Sequence, residues 1–278
     1  MKLNEMKQIL SERDIQLTKS LGQNFLHDGN QLRRIVEAAH LTKEDKVLEI
    51  GPGLGPLTDL LVERAGEVLA IEKDAKLFEA LKDRIKAPSF HLVHDDALDY
   101  LQREARDWSG WKVVSNLPYS VASPILVELA LAQHGPELIV VTLQLEVAKR
   151  ITALPDEKDY GVLTLLVQLE YEPKGFFKIP ASCFFPEPDV DSACVRLVRR
   201  VPSLLMPQQK LVFTSIVKRA FSQRRKMTLK LLKEDWPVRK LEQAFEQLAL
   251  PVRTRAETIG LEQFVRLTEL LLKHSNDG

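Results

Sequence analysis

The sequence predicts a doubly wound α/β domain with a largely parallel sheet, followed by a small all-helical domain. Three observations lead there. From about residue 30 to 145, short apolar runs alternate with longer segments of helical periodicity, as parallel strands and their crossover helices do. A glycine-rich turn, Gly51-Pro52-Gly53-Leu54-Gly55, marks one strand–helix junction. Beyond Val201-Pro202 the apolar spacing turns helical.

The 278 residues suffice for one large domain and a smaller one. Lys46–Ile50, Val68–Ile71, Phe90–Val93, Lys112–Val114 and Leu138–Leu143 are short apolar runs and read as buried strands. Gln31–His40, Leu57–Arg64, Ala75–Ile85 and Pro124–Ala132 carry apolar residues at helical spacing and read as the helices between them. Val162–Glu170 and Ala193–Val198 read as two further β-stretches, separated by a loop that bears Pro180, Pro186 and Pro188. Gln209–Phe221, Met227–Leu232, Leu241–Leu248 and Leu261–Lys273 read as helices of the second domain, so the boundary falls near Arg200, between 1–200 and 201–278. Ligands of doubly wound sheets bind outside the carboxyl ends of the strands, where the motifs below fall.

A chain with 45% hydrophobic and 28% charged residues is ordinary for a soluble globular protein. Its apolar stretches are too short for a bilayer, and Met1–Lys7 lacks the apolar core of a signal peptide. Cys183 and Cys194, the two cysteines, have no metal-ligand spacing; they suggest a reducing cytoplasm rather than a disulfide scaffold. Net charge is +0, which by itself gives nucleic-acid binding no support. The distribution says more. From Arg196 to Lys240, 13 lysines and arginines stand against only Glu234 and Asp235, the pattern of a local phosphate-binding face.

Val47-Leu48-Glu49-Ile50 runs into the glycine turn, and Pro56 suits the first position of a helix. A dinucleotide fingerprint would need its third glycine where Pro56 stands. That favours S-adenosylmethionine, which has no phosphates, over a pyrophosphate. Glu72 ends the next strand about twenty residues on, where an acid accepts both ribose hydroxyls. Asp96, at the end of a third strand, suits the adenine amine of the cofactor.

Asn116-Leu117-Pro118-Tyr119 ends the fourth strand and is the most specific signal in the chain. An adenine amine is conjugated into its ring and is a poor nucleophile. Acceptors on its two N–H bonds draw the nitrogen toward tetrahedral geometry and aim its lone pair. The Asn116 side-chain carbonyl and the Leu117 backbone carbonyl suit that task. Pro118 biases Leu117 toward an extended backbone, and Tyr119 offers a ring for stacking on a flipped base.

With these residues in place, the sequence resembles the ribosomal RNA adenine N6,N6-dimethyltransferases, the KsgA family, over nearly its whole length. Lys19-Ser20-Leu21-Gly22-Gln23-Asn24-Phe25-Leu26 resembles the family's N-terminal segment. Glu49–Gly55, Ile71-Glu72, Asp96-Ala97-Leu98 and Asn116–Tyr119 resemble its successive cofactor and catalytic motifs, and Glu146–Arg150, Tyr160-Gly161 and Phe184–Ser192 its later ones. The resemblance implies a Rossmann-like class I methyltransferase domain, with residues 1–28 closing over the cofactor and a helical RNA-binding domain behind it. It further implies that Gln23, Asn24, Leu26, Glu49, Gly51, Gly53, Gly55, Glu72, Asp96 and Asn116 contact S-adenosylmethionine, and that Tyr119 and Phe184 sandwich the target adenine.

Ala220–Lys226 and Arg255–Thr258 resemble the small-subunit enzymes more than the Erm resistance enzymes of the large subunit. Arg224, Arg225 and Lys226 are accordingly expected to grip RNA phosphates. The implied activity is dimethylation of two adjacent adenines in a 3′-terminal hairpin of small-subunit (16S) rRNA, by a cytoplasmic monomer acting on an assembling ribosomal particle. The competing expectations are an Erm-type large-subunit enzyme and an assembly factor with little catalysis. The sequence departs from the family's pattern at Leu145, Ala181, Glu187 and Asp189; the last two acids would repel phosphates near the base pocket.

Overall fold

The computed structural model describes residues 1–17, 22–103 and 106–272. Lys19–Leu21 of the N-terminal motif and Lys273 of the last expected helix lie outside them. The chain forms two units: Met1–Ala148 with Glu172–Arg199, and Lys149–Tyr171 with Arg200–Gly278. One crossing falls at Arg199–Arg200, beside the boundary expected from sequence; two others bring Lys149–Tyr171 into the second unit.

Nine strands are described: β1 (Phe25–Leu26), β2 (Lys46–Ile50), β3 (Glu67–Glu72), β4 (Phe90–His94), β5 (Trp111–Asn116), β6 (Leu138–Gln144), β7 (Tyr171–Ile179), β8 (Phe184–Phe185) and β9 (Ser192–Arg199). Seven make one sheet in the order β4-β3-β2-β5-β6-β9-β7. The first five are parallel and β9 runs antiparallel to β6. All five expected parallel strands are present; β2, β3, β5 and β6 are apolar runs covered on both faces, while β4 is the half-exposed edge strand. Helices Gly29–Ala38 and Pro56–Arg64 place Leu32, Ile35, Leu57 and Leu61 against Val47, Val68, Val114 and Val140. Asp28 starts the first of these by accepting the Asn30 and Gln31 N–H groups at 2.9 Å each.

Sheet order reverses beside β2, which has β3 on one side and β5 on the other. The β2–β5 ladder pairs Lys46–Leu48 with Trp111–Val113. Further along, the buried Ser115 hydroxyl donates to the Ile50 carbonyl at 2.6 Å and accepts its N–H at 3.3 Å. A serine thus bridges the two strands near their carboxyl ends, at the switch point where such folds bind ligands.

Two expectations need correction. Val162–Glu170 is not a β-stretch: Val162–Gln168 is a helix, started where Thr164 Oγ1 accepts the Gly161 N–H. Its Leu165, Leu166 and Val167 are all buried, and a short helix buried all round has the same continuous apolar run as a buried strand. Conversely, β7 is a strand with little apolar signature in the sequence, because Pro173 and Gly175 interrupt it. Both are tolerated on the outermost strand, where Gly175 adopts φ +89°.

In the second unit, helices Pro207–Ala220, Thr228–Leu232, Val238–Gln247 and Leu261–Leu272 pack around Phe213, Leu229, Phe245 and Phe264. Lys210 and Glu170 form a buried ion pair at 2.8 Å, and Ser203 Oγ donates to the same carboxylate. A charge this deep persists only because it is paired.

Candidate active site

Gly51, Gly53 and Gly55 take φ values of +67°, +59° and +80° between β2 and helix Pro56–Arg64. Their N–H groups are already committed. Gly51 donates to the Ile71 carbonyl at 2.9 Å, Gly53 to Glu72 Oε2 at 3.0 Å, and Gly55 to the Pro52 carbonyl at 2.9 Å. None of the three is left for a phosphate. What the glycines accommodate is the protein itself. A Cβ on Gly51 would meet Pro118 Cγ at 2.8 Å, and one on Gly53 would run into the Phe25 ring.

A cleft of about 760 Å³ opens at the carboxyl ends of the strands. Of the expected cofactor residues, Gln23, Asn24, Gly51, Gly53, Glu72, Asp96 and Asn116 line it. Its wall holds four carboxylates, Glu72, Asp74, Asp95 and Asp96, and one cation, Lys73. Lys73 is paired to Asp96 at 2.7 Å and, with the Leu98 and Asp99 N–H groups, holds that carboxyl below its ordinary range. A cleft with this charge suits a cation. S-adenosylmethionine, with a sulfonium and an ammonium against one carboxylate, is such a ligand, and the committed loop N–H groups disfavour a nucleoside phosphate. The donor set therefore fits this cofactor.

Glu72 is buried, and burial pushes its carboxyl upward. Its oxygens accept the Gly53 and Asp74 N–H groups, at 3.0 and 2.8 Å, which fixes it at the end of β3. Leu26, Glu49 and Gly55 do not line the cleft. Leu26 is a core residue, and Gly55 backs onto Arg84 and Leu81. Glu49 is buried with Oε2 unpartnered, and burial, helped by the nearby charges of Asp59 and Glu72 and opposed by Thr58 and Arg84, pushes its carboxyl up to about 8.

Asn116, Leu117 and Pro118 also line the cleft. Asn116 Nδ2 donates to the Asn24 carbonyl at 2.8 Å, while its Oδ1 is buried with no hydrogen-bond partner. The Leu117 N–H is held by the Thr142 carbonyl at 3.0 Å. Tyr119 and Phe184 come together but are not among the lining residues: their rings lie edge to face, 6.5 Å apart at 69°. Phe184 is only 2% exposed and Tyr119 is half-buried, its phenol pushed up to about 12 by burial. The Tyr119 hydroxyl is hydrogen-bonded to Ser192 Oγ, a contact spanning 73 residues of sequence that no local pattern announces.

Arg224, Arg225 and Lys226 are exposed in the turn between helices Pro207–Ala220 and Thr228–Leu232. Arg224 donates to the Lys158 carbonyl at 3.1 Å, which anchors the turn. The unit that carries them holds 18 Lys and Arg against 12 Asp and Glu; the other holds 21 against 27.

Sheet order and cleft charge are those of a class I S-adenosylmethionine-dependent methyltransferase. A family model described as ribosomal RNA adenine dimethylase matches residues 15–273, and the chain belongs to that family. It is 40% identical over 286 residues to a ribosomal RNA small subunit methyltransferase A from Clostridium perfringens, covering 100% of both chains. It is 37% identical over 277 residues to the protein so named from Geobacillus thermodenitrificans, covering 96% of this chain and 94% of that one. Among solved structures, the 23S rRNA methyltransferase ErmE matches with TM-score 0.68 and 30% identity, over 89% of this chain and 99% of that one. A dimethyladenosine transferase from Plasmodium falciparum shares the fold, with TM-score 0.74 and 24% identity over 87% and 95% of the two chains. No helix among the described residues is long and apolar enough to cross a membrane.

Proposed function

We propose that this enzyme dimethylates N6 of two adjacent adenines in a 3′-terminal hairpin of small-subunit rRNA, acting as a cytoplasmic monomer on an assembling particle. The observation that carries the chemistry is the Asn116 amide: its nitrogen is held by Asn24, so the buried, unpartnered Oδ1 is the atom offered to a substrate N–H. Such an oxygen is costly to leave unmade, and a target amine satisfies it. The Leu117 carbonyl takes the second N–H, which leaves the nitrogen lone pair free to point across the cleft. Bound S-adenosylmethionine supplies an electrophilic methyl group. No side chain here need act as a strong base, since the proton leaves after attack; the acceleration comes from positioning.

Tyr119, with a phenol that stays neutral at pH 7, stacks on the flipped base, and Phe184 covers the other face once the Tyr119 ring turns. Arg224, Arg225 and Lys226 grip phosphates, which the positive balance of their unit supports. The small subunit is favoured by the full-length likeness to the two bacterial enzymes. The test is transfer of labelled methyl groups to unmethylated small and large ribosomal subunits. Label on adenine N6 of the small subunit alone is expected; label confined to the large subunit would overturn the assignment.

A further inference from the structure

The three residues Gly22, Gln23 and Asn24 border the cofactor cleft, yet two of their closest engagements are with the catalytic motif. The Asn24 backbone carbonyl takes the Asn116 amide N–H at 2.8 Å. Gly22, at φ +65°, lies so close to the far end of the motif that a Cβ there would sit 3.0 Å from the Tyr119 nitrogen and 3.1 Å from the Ser120 nitrogen. Asn24 Nδ2 donates to the Gly22 carbonyl at 3.3 Å and ties the two points together. Asn116 through Ser120 is therefore met at both ends by one short stretch of chain more than ninety positions earlier, through a hydrogen bond at Asn116 and close packing at Tyr119–Ser120.

We infer that Gly22–Asn24 is a positioning element for the methyl-accepting site: it sets which way the Asn116 carboxamide faces and how far the Tyr119 backbone stands from it. The inference rests on Asn116 as the acceptor of the target amine. An amide has two ends of nearly equal size, and its rotation by half a turn would present two donors to a substrate amine that also donates. The Asn24 carbonyl removes that choice, because it binds only the –NH₂ end. A side chain at position 22 is disfavoured for two separate reasons. The left-handed backbone strains it, and its Cβ would crowd the Tyr119 and Ser120 nitrogens at 3.0 and 3.1 Å.

Gly22→Ala tests this in the full-length protein. Methyl transfer to unmethylated ribosomal particles is expected to lose roughly tenfold or more in kcat, with KM for S-adenosylmethionine within about threefold of the parent. A purely cofactor-binding role would move KM and spare kcat, and that result would overturn the inference. A second readout is the Asn116 side-chain amide, followed by ¹⁵N NMR in the free protein. Its hydrogen-bonded proton is expected to lose protection from exchange in Gly22→Ala and to keep it in Asn24→Ala, which retains the carbonyl. Protection unchanged in Gly22→Ala would also overturn the inference.

Should Gly22→Ala fold poorly, Gly22→Asn relieves the backbone conflict but keeps the crowding against Tyr119, and the same loss of kcat is expected. A fully active Gly22→Asn would show that contact with the motif is unimportant. Asn116→Ala separates the two ideas: if that variant still transfers methyl groups, the assignment of Asn116 has failed, whereas an inactive Asn116→Ala beside a fully active Gly22→Ala defeats the positioning role alone.

Discussion

Asn116 and Glu49 each carry a buried, unpartnered side-chain oxygen, and they differ in what lies in front of it. Asn116 faces the cleft; Glu49 faces the packed interior beneath the glycine turn. Replacing Asn116 with alanine is expected to slow single-turnover methyl transfer by about 10²–10³, the effect of losing one preorganised polar partner. Calorimetry should find cofactor affinity changed far less. Glu49 bears instead on stability. It takes its proton near 4.5 when exposed and near 8 when folded. The folded state thus binds more protons between those values, and stability falls as pH rises through that window. Thermal denaturation from pH 5 to 8 should show a decline that Glu49→Gln flattens, on the order of a few kcal/mol across the range. Glu72, also pushed upward by burial, keeps some slope in the variant. Asn116 and Glu72 were legible in the sequence because each ends an apolar strand at a diagnostic spacing. Phe184 was not: it came through resemblance, and its 2% exposure is that of an ordinary core anchor.

Elements whose apolar spacing matched their burial were readable, and those governed by distant partners were not. β2, β3, β5 and β6 were readable because parallel strands covered on both faces leave an unmistakable apolar run, and β4 because Phe90, Leu92 and Val93 keep part of one at the sheet edge. Helix Val162–Gln168 leaves the same run and was misread, while β7, with its proline and glycine, leaves almost none. The turn at Arg224–Lys226 is an intermediate case: its charges are obvious, its exposure is visible only in three dimensions, and its RNA contact remains a proposal. If Arg224 and Arg225 each neutralise a phosphate, Arg224→Ala with Arg225→Ala should lower the slope of log affinity against log salt by about one to two. Filter binding of a hairpin RNA across a salt series measures it; an unchanged slope would return both to the solvated surface.

At the scale of the molecule, formal neutrality conceals a division of charge between the two units, one with an excess of acids around an acidic cleft and one with an excess of bases. The units are also not consecutive in sequence. Residues 201–278 alone retain Lys210 but lose Glu170, leaving a buried ammonium without its partner. That fragment is expected to remain unfolded by circular dichroism, since breaking a buried pair costs roughly 3–5 kcal/mol. Joining Lys149–Tyr171 to it through a short linker should restore cooperative melting.

The same threading governs the order in which the sheet can be finished during synthesis. β6 leaves the ribosome with six buried, almost wholly apolar positions, but its outer neighbour β9 begins only at Ser192, after the Lys149–Tyr171 segment has been made. Until then β6 is an unpaired hydrophobic edge, the kind of surface on which nascent chains associate wrongly. The enzyme's own translation therefore includes an interval, about fifty codons long, in which it is most exposed to aggregation and to chaperone capture.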